Sequence, residues 1–371
     1  MTHQLRGPLA HLHDALDALQ RRGLRRVPPP PVPEDALSFC SNDYLGLAGR
    51  FAPAAATGSG ASRLIAGERR AHLEMERAFA EWLRIEACLA FTSGYAANVG
   101  ALSALAAPGD LIVSDALNHA SLIDGARLSR ARIAIVGHND LDAVARALRG
   151  RSEPRAWVVV ESYYSMDADG PDLGGLREVC DAHGAALYVD EAHALGVLGP
   201  DGRGRCAEVG VVPDVIVGTL GKSFGSQGAF VGGPAVLRDW LWNRARSFVF
   251  STGLAPMAAA AARLALEEVV RSPELRRRVA DLASRLREGL TGVGLRPVGF
   301  GHVVPIVVGE SERAVELSRR LAARGVAVPP IRPPTVPEGT ARLRLTVTAR
   351  HQEQDIDAVI GAFRAVTDDH R

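Results

Sequence analysis

Two short segments hold the residue types from which a reaction centre can be built. Asp190-Glu191-Ala192-His193 follows the apolar run AALYV, and Lys222 follows the next such run, in VIVGTLGKSFG. A carboxylate, an imidazole and an amine therefore stand at the ends of two successive apolar runs, with room between them for one strand-to-strand crossover. Open parallel sheets bind ligands in the crevice beyond the carboxyl ends of their strands. An amine there forms an imine with a carbonyl once burial or a cationic neighbour lowers its pKa. A carboxylate there pairs with a protonated ring nitrogen and keeps it cationic. A close opposite charge of that kind is worth about 1–3 pKa units, or about 1.4–4 kcal/mol. The combination suits pyridoxal phosphate: Lys222 takes the aldehyde, Asp190 the pyridinium nitrogen, and His193 the phenolic oxygen.

Other residues gain weight from these. FTSGYAAN follows an apolar run and opens a helical stretch, so Gly94 permits close backbone approach and Tyr95 stands at a helix N-terminus. Such an end attracts an anion by roughly 0.3–1 kcal/mol when exposed, and the cofactor phosphate is the natural occupant. Thr219 offers a hydroxyl to the same group. His119, in SDALNHASL, is placed to lie on the cofactor ring, and Ser165, in ESYYSMDADG, to reach the ring substituents or substrate. Taken singly, each has a plain reading as a loop histidine, a cap or a turn. Their common position after apolar runs is what points to one edge of one sheet. In ARLRLTVTAR, alternation puts Arg342 and Arg344 on one face. Arginine grips a carboxylate with two parallel bonds, which makes one of them a candidate for a substrate carboxylate; the alternative is a solvated sheet face.

The elements that must position these groups are legible as a pattern. Seven apolar runs (ACLAFTS, DLIVSD, RIAIVG, AWVVVES, AALYVDE, VIVGTLG and GAFVGG) alternate with helical segments from about residue 87. That is the pattern of an α/β protein with a mainly parallel seven-stranded sheet covered by helices on both faces. Helices are expected from about 254 to 290 with a break at Ser272-Pro273. HVVPIVVG, VPPIRPPTVP, ARLRLTVTAR and a last helix near 352–366 then describe a smaller α+β region. Leu9, Leu12, Leu16 and Leu19 predict an amphipathic helix over 8–22, and VPPPPVP (27–33) a stiff connector. The expected division is residues 1–50 as N-terminal helix and connector, 51–272 as the large cofactor domain, and 273–371 as a small C-terminal α+β domain.

Bulk properties narrow the class. With 43 basic and 42 acidic residues in 371, the net charge of +1 gives no field to recruit nucleic acid or an anionic membrane. Four scattered cysteines without a CxxC pair fit a reducing cytoplasm, and no metal site is expected. The N-terminal stretch shows no signal-peptide pattern, and Asp14 and Asp17 argue against a transit peptide. PMAAAAARLALEEVV is broken by Arg263 and then by acidic residues, so no membrane span is expected. The expected location is cytoplasmic.

As a set, SNDYLGL (41–47), GSGASR (58–63), TSGYAAN, NHASL, SMD, VDEAHALG, GTLGKSFG, FSTG (250–253) and IRPPTVPEGTARLRLTVTA resemble the α-oxoamine synthases. These are fold-type I pyridoxal phosphate enzymes that condense an amino acid with an acyl thioester. The resemblance runs through nearly the whole chain, and its ending is most like the members that serve biotin biosynthesis. It implies an acyltransferase that joins L-alanine to a pimeloyl thioester, carried by CoA or acyl carrier protein, with release of carbon dioxide and free thiol. It implies Lys222 as the cofactor lysine, Gly94, Tyr95, Ser165, His193 and Thr219 in the cofactor site, and His119 over the ring. It further implies Arg25, Asn42 and Thr335 near substrate, Arg344 on its carboxylate, and a homodimer in which Ser251 and Thr252 reach across the interface. The alternative inside the family is a sister enzyme such as a glycine C-acetyltransferase.

Readings from other classes fare worse. DEAH followed by GKS invites a DEAH-type nucleotide-hydrolysing protein, but a phosphate loop needs GxxxxGK[ST] and Ile216 occupies the position of its first glycine. GSGASR lacks the third glycine of a dinucleotide fingerprint. A non-catalytic binding protein would not require a lysine poised for an imine.

Overall fold

The computed structural model describes residues 9–26, 33 and 36–368. The seven apolar runs form seven strands of one sheet: β1 (Ala87–Phe91), β2 (Leu111–Asp115), β3 (Arg132–Val136), β4 (Ala156–Glu161), β5 (Ala186–Asp190), β6 (Val215–Thr219) and β7 (Ala229–Gly233). Their order across the sheet is β1-β7-β6-β5-β4-β2-β3. Neighbours from β3 to β6 run parallel, while β7 runs antiparallel to both β1 and β6. Most of these strands are buried along their length because helices cover both faces, which is why their sequences read as continuous apolar runs. The edge strand β3 is the exception, with Ile135 exposed.

Parallel pairing puts the carboxyl ends of β2, β4, β5 and β6 along one edge. Glu161 and Asp190, which close β4 and β5, are register partners. Because β7 is antiparallel to two strands, the end of β1 lies at that edge too: Thr219 pairs with Ala229, and Ala229 with Phe91. The chain steps outward from β2 to β3 and then returns past β2 to β4. That reversal is the switch point at which open sheets form their binding crevice.

Helices fix these ends. Ser93 caps the helix Gly94–Leu105 by accepting from Ala96 N at 3.1 Å. Asp172 caps Leu173–His183, accepting from Gly175 N at 3.0 Å, and Gly184, at φ 56°, turns the chain into β5. Below the lysine strand, Phe79 of the helix Arg70–Leu83 meets Phe224 and Phe230, each at a ring distance of 4.9 Å.

The chain divides into two compact units. The larger comprises Asn42–Asp281 with Thr348–Arg350, and holds the seven-stranded sheet. The smaller takes in the described residues up to Ser41, Leu282–Val347 and those from His351 onward. The helix expected to break at Ser272 does so, into Pro256–Arg271 and Pro273–Gly292, and the division falls inside the second of these. The smaller unit contains a three-stranded antiparallel sheet in which Ala341–Thr346 lies between Pro330–Ile331 and Val303–Gly309. Phe39, Leu286, Leu343, Leu345 and Phe363 fill its core.

The N-terminal helix spans His11–Arg21, shorter than the expected 8–22. Its leucine stripe is exposed. The proline-rich connector, apart from Pro33, lies outside the described residues. Among the described residues no helix is long and apolar enough to cross a membrane.

Candidate active site

Lys222 lies just beyond β6 and is half-buried, with Nζ 2.8 Å from His193 Nε2. The other ring nitrogen, His193 Nδ1, is 2.6 Å from the Tyr44 hydroxyl, which in turn donates to Asn42 Oδ1 at 3.3 Å. With its proton committed to Asn42, the tyrosine oxygen acts as acceptor. That favours the Nδ1–H tautomer of His193 and turns the Nε2 lone pair toward the amine.

Asp190 is buried at the end of β5. Its Oδ2 accepts from Asn98 Nδ2 at 2.7 Å and its Oδ1 from Ala192 N at 2.8 Å. Asn98 is itself held by Ser121 Oγ at 2.9 Å and by the Tyr188 hydroxyl at 2.8 Å. The adjacent Glu191 points elsewhere. Its fully buried carboxylate accepts from Ser162 Oγ, Arg205 N and Cys206 N, at 2.5 to 3.1 Å, and pins neighbouring loops.

His119 caps the helix Ala120–Ser129, its Nδ1 accepting from Ser121 N at 3.2 Å. One side of the residue is exposed, yet the protein around the ring lowers its pKa. Asp190 opposes that shift and Lys222 adds to it, so all three groups share one electrostatic neighbourhood. The backbone N–H of His119 donates to Glu161 Oε1 at 2.7 Å. Burial, and the negative charge of Asp190, push the Glu161 pKa up to about 8. At neutral pH, Glu161 is therefore mainly protonated.

Gly94 opens its helix opposite Thr219: a Cβ there would meet the threonine side chain at 3.9 Å. With Ala96 N taken by the Ser93 cap, the amides of Gly94 and Tyr95 are the ones an incoming anion would meet. The Tyr95 hydroxyl hydrogen-bonds Asp124, and its ring is exposed. Ser165 is buried in the loop after β4. Ser251 and Thr252 line a cavity of about 10 Å³ with Arg63, Thr92 and Phe248. They are anchored by Gly253 N on Ala61 O at 3.0 Å and by Ser59 Oγ on Leu254 O at 2.6 Å.

Arg25, Thr335 and Arg344 belong to the smaller unit. Arg26, not Arg25, donates to Thr335 Oγ1, at 3.0 Å, while Arg25 and Arg332 line a cavity of about 250 Å³. Arg342 and Arg344 are both buried, so the solvated sheet face weighed as an alternative is ruled out.

Residues 34–363 match the family described as aminotransferase class I and II. The chain belongs to that family. Curated relatives named 8-amino-7-oxononanoate synthase include one from Mycolicibacterium smegmatis, 47% identical over 94% of this chain and 94% of its own length. Another, from Anaeromyxobacter dehalogenans, is 43% identical over 98% and 97%. Among solved structures, a serine palmitoyltransferase from S. paucimobilis with PLP and myriocin bound superposes with a TM-score of 0.89. It is 28% identical, over 97% of this chain and 98% of that one. A Francisella tularensis 8-amino-7-oxononanoate synthase has a TM-score of 0.77 at 24% identity over 91% and 99%, a likeness of fold. The fold is the fold-type I architecture of pyridoxal phosphate transferases, and the resemblance to the α-oxoamine synthases is borne out.

Within that family the donor set fits pyridoxal phosphate. An amine stands beside an accepting imidazole, a buried carboxylate is available for a ring nitrogen, and a helix N-terminus faces a threonine hydroxyl for a phosphate. Three partners escaped sequence reasoning. Tyr44 and Asn98 sit inside recognised motifs, SNDYLGL and TSGYAAN, but only the fold shows that they touch His193 and Asp190. Glu161 closes β4 with no motif to mark it. One further signal was readable in the composition: Lys222 is the only lysine in the chain, every other basic residue of the 43 being arginine.

Proposed function

We propose that this chain is a pyridoxal-phosphate-dependent acyltransferase of biotin biosynthesis. It condenses L-alanine with a pimeloyl thioester to give 8-amino-7-oxononanoate, carbon dioxide and free thiol. One observation carries the reading: the chain's sole lysine lies against His193 at the same sheet edge as Asp190, in a chain 43–47% identical, nearly end to end, to enzymes named for that product. The superposition on serine palmitoyltransferase does not outweigh this, since sister enzymes share a fold and differ in substrate.

Bound pyridoxal phosphate supplies an aldehyde that captures amines and a ring that withdraws electrons from the captured amino acid's α-carbon. Lys222 would hold that aldehyde. When not bonded to the aldehyde, its Nζ would be the base for the α-proton of the amino acid and the acid that returns a proton to the product. His193 Nε2 accepts hydrogen from Nζ and so orients the amine toward the substrate side of the site. Asp190, fixed by Asn98 and Ala192 N, holds a proton on the ring nitrogen. The amides opening at Gly94, with Thr219, would hold the phosphate, and His119 would stand by the ring. Arg344 is assigned to the substrate carboxylate, and Arg25, Asn42 and Thr335 to the substrate's surroundings. The working form is a homodimer in which Ser251 and Thr252 complete the partner's site. A cytoplasmic setting is supported by four free cysteines.

Product analysis by mass spectrometry tests the reading, with alanine, glycine and serine each offered against pimeloyl and shorter thioesters on CoA and on acyl carrier protein. Alanine with the pimeloyl thioester should give the C9 aminoketone acid fastest. Turnover confined to glycine or serine would replace the reading with a sister activity.

A further inference from the structure

A second polar cluster stands beside the lysine site, at the carboxyl ends of β2 and β3. His138, just past β3, lies between two carboxylates: Nδ1 is 2.9 Å from Asp115 Oδ1, and Nε2 is 3.1 Å from both oxygens of Asp169. Asp115 closes β2 and starts the loop to His119, accepting from Leu117 N and Asn139 N at 2.8 Å each. Asp169 belongs to the loop that contains Ser165, where Tyr164 N donates to its carbonyl at 2.8 Å. The Tyr164 ring meets His138 edge-on at 4.5 Å, and its hydroxyl donates to Asn118 Oδ1 at 3.2 Å, next to His119. Asn118 in turn donates to Val159 O of β4 at 2.8 Å.

With a carboxylate on each ring nitrogen, His138 must donate twice, which only the imidazolium can do. We propose that His138 is a positioning residue: as a cation it clasps the loop bearing His119 to the loop bearing Ser165, and so holds both side chains at the cofactor site. The proposal rests on the cofactor reading given above. Burial alone would lower the pKa of His138, but its hydrogen bonds and charge pairing with Asp115 and Asp169 outweigh it and raise the value to about 10. Asp115, Asp169 and the Tyr164 phenol are the titratable groups facing the ring; Asn139 beside it is neutral.

The test uses the full-length protein. Affinity for pyridoxal phosphate is measured from pH 6 to 10.5 in wild type, His138→Gln and Asp169→Asn, while the His138 ring is titrated by NMR. Wild type should lose affinity as His138 loses its proton near pH 10. His138→Gln should bind about tenfold more weakly at pH 7.5, with no such alkaline limb. Asp169→Asn should move both the ring titration and the limb to lower pH, because one of two stabilising carboxylates is gone. Its side chain is 36% exposed, so this variant decides the matter if His138→Gln does not fold. An alkaline limb that Asp169→Asn leaves in place, or wild-type affinity in His138→Gln, overturns the proposal. A wild type that never binds the cofactor overturns the cofactor reading instead, and the proposal with it, even where the ring titration places the clasp as drawn.

Discussion

Replacing Asp190 by Asn removes a charge and keeps the side chain's shape, so it isolates the electrostatic part of the site. Pairing of this kind is worth about 1–3 pKa units to the ring nitrogen, so exchange of the α-proton of alanine with D2O should slow by about tenfold to a thousandfold. NMR of recovered alanine reads this directly, and unchanged exchange would remove Asp190 from its role. Glu161 offers a second test, with a definite sign. The folded protein keeps its proton to about pH 8, whereas an ordinary glutamate loses it near 4.5. Between those values the folded state binds more protons than the unfolded, so this residue makes folding less favourable as pH rises through the window. Glu161→Gln keeps an acceptor for His119 N and abolishes the titration. The variant's thermal midpoint should therefore gain on wild type progressively from pH 5 to pH 8, as followed by circular dichroism. A gap that does not widen would mean Glu161 is ionised in the folded protein.

At the scale of elements, the lysine loop rests on an aromatic cluster in which Phe79 touches Phe224, Phe230 and Trp82. Phe79→Ala should cost about 3–5 kcal/mol, read as a large fall in thermal midpoint; a loss below 1 kcal/mol would mean the cluster collapses around the gap. The strands that carry the chemistry were legible in the chain because burial on both faces leaves an unbroken apolar signature, as in ALYVD and VIVGT. Even the exposed edge strand RIAIV was found, through its place between helical stretches. Less legible was which groups complete the site. Asn98 lies a helical turn after Gly94 and Tyr44 far upstream, and their bonds to Asp190 and His193 arise from long-range packing that periodicity cannot encode. The direction of β7 was equally hidden, since an apolar run reads the same both ways. Arg25 and Arg26 could not be told apart as neighbours in a loop, and the fold separates them by giving Thr335 to Arg26.

For the whole molecule, the proposed homodimer makes a prediction no single chain could satisfy. Pairing a Lys222→Ala protomer with one lacking both Ser251 and Thr252 side-chain hydroxyls leaves one site with all its proper groups, if those hydroxyls act across the interface. Such hybrids should regain about half the wild-type activity per dimer, whereas hydroxyls acting within their own chain would leave both sites impaired. Beneath every prediction lies the bond between cofactor and chain, and the composition makes it unusually easy to trap, because Lys222 has no competing lysine. Pyridoxal phosphate-loaded protein reduced with borohydride, digested and mapped by mass spectrometry should carry the phosphopyridoxyl group on the peptide containing Lys222. An unmodified Lys222 peptide, from a sample given excess cofactor and shown to be folded, would contradict the proposed chemistry at its root.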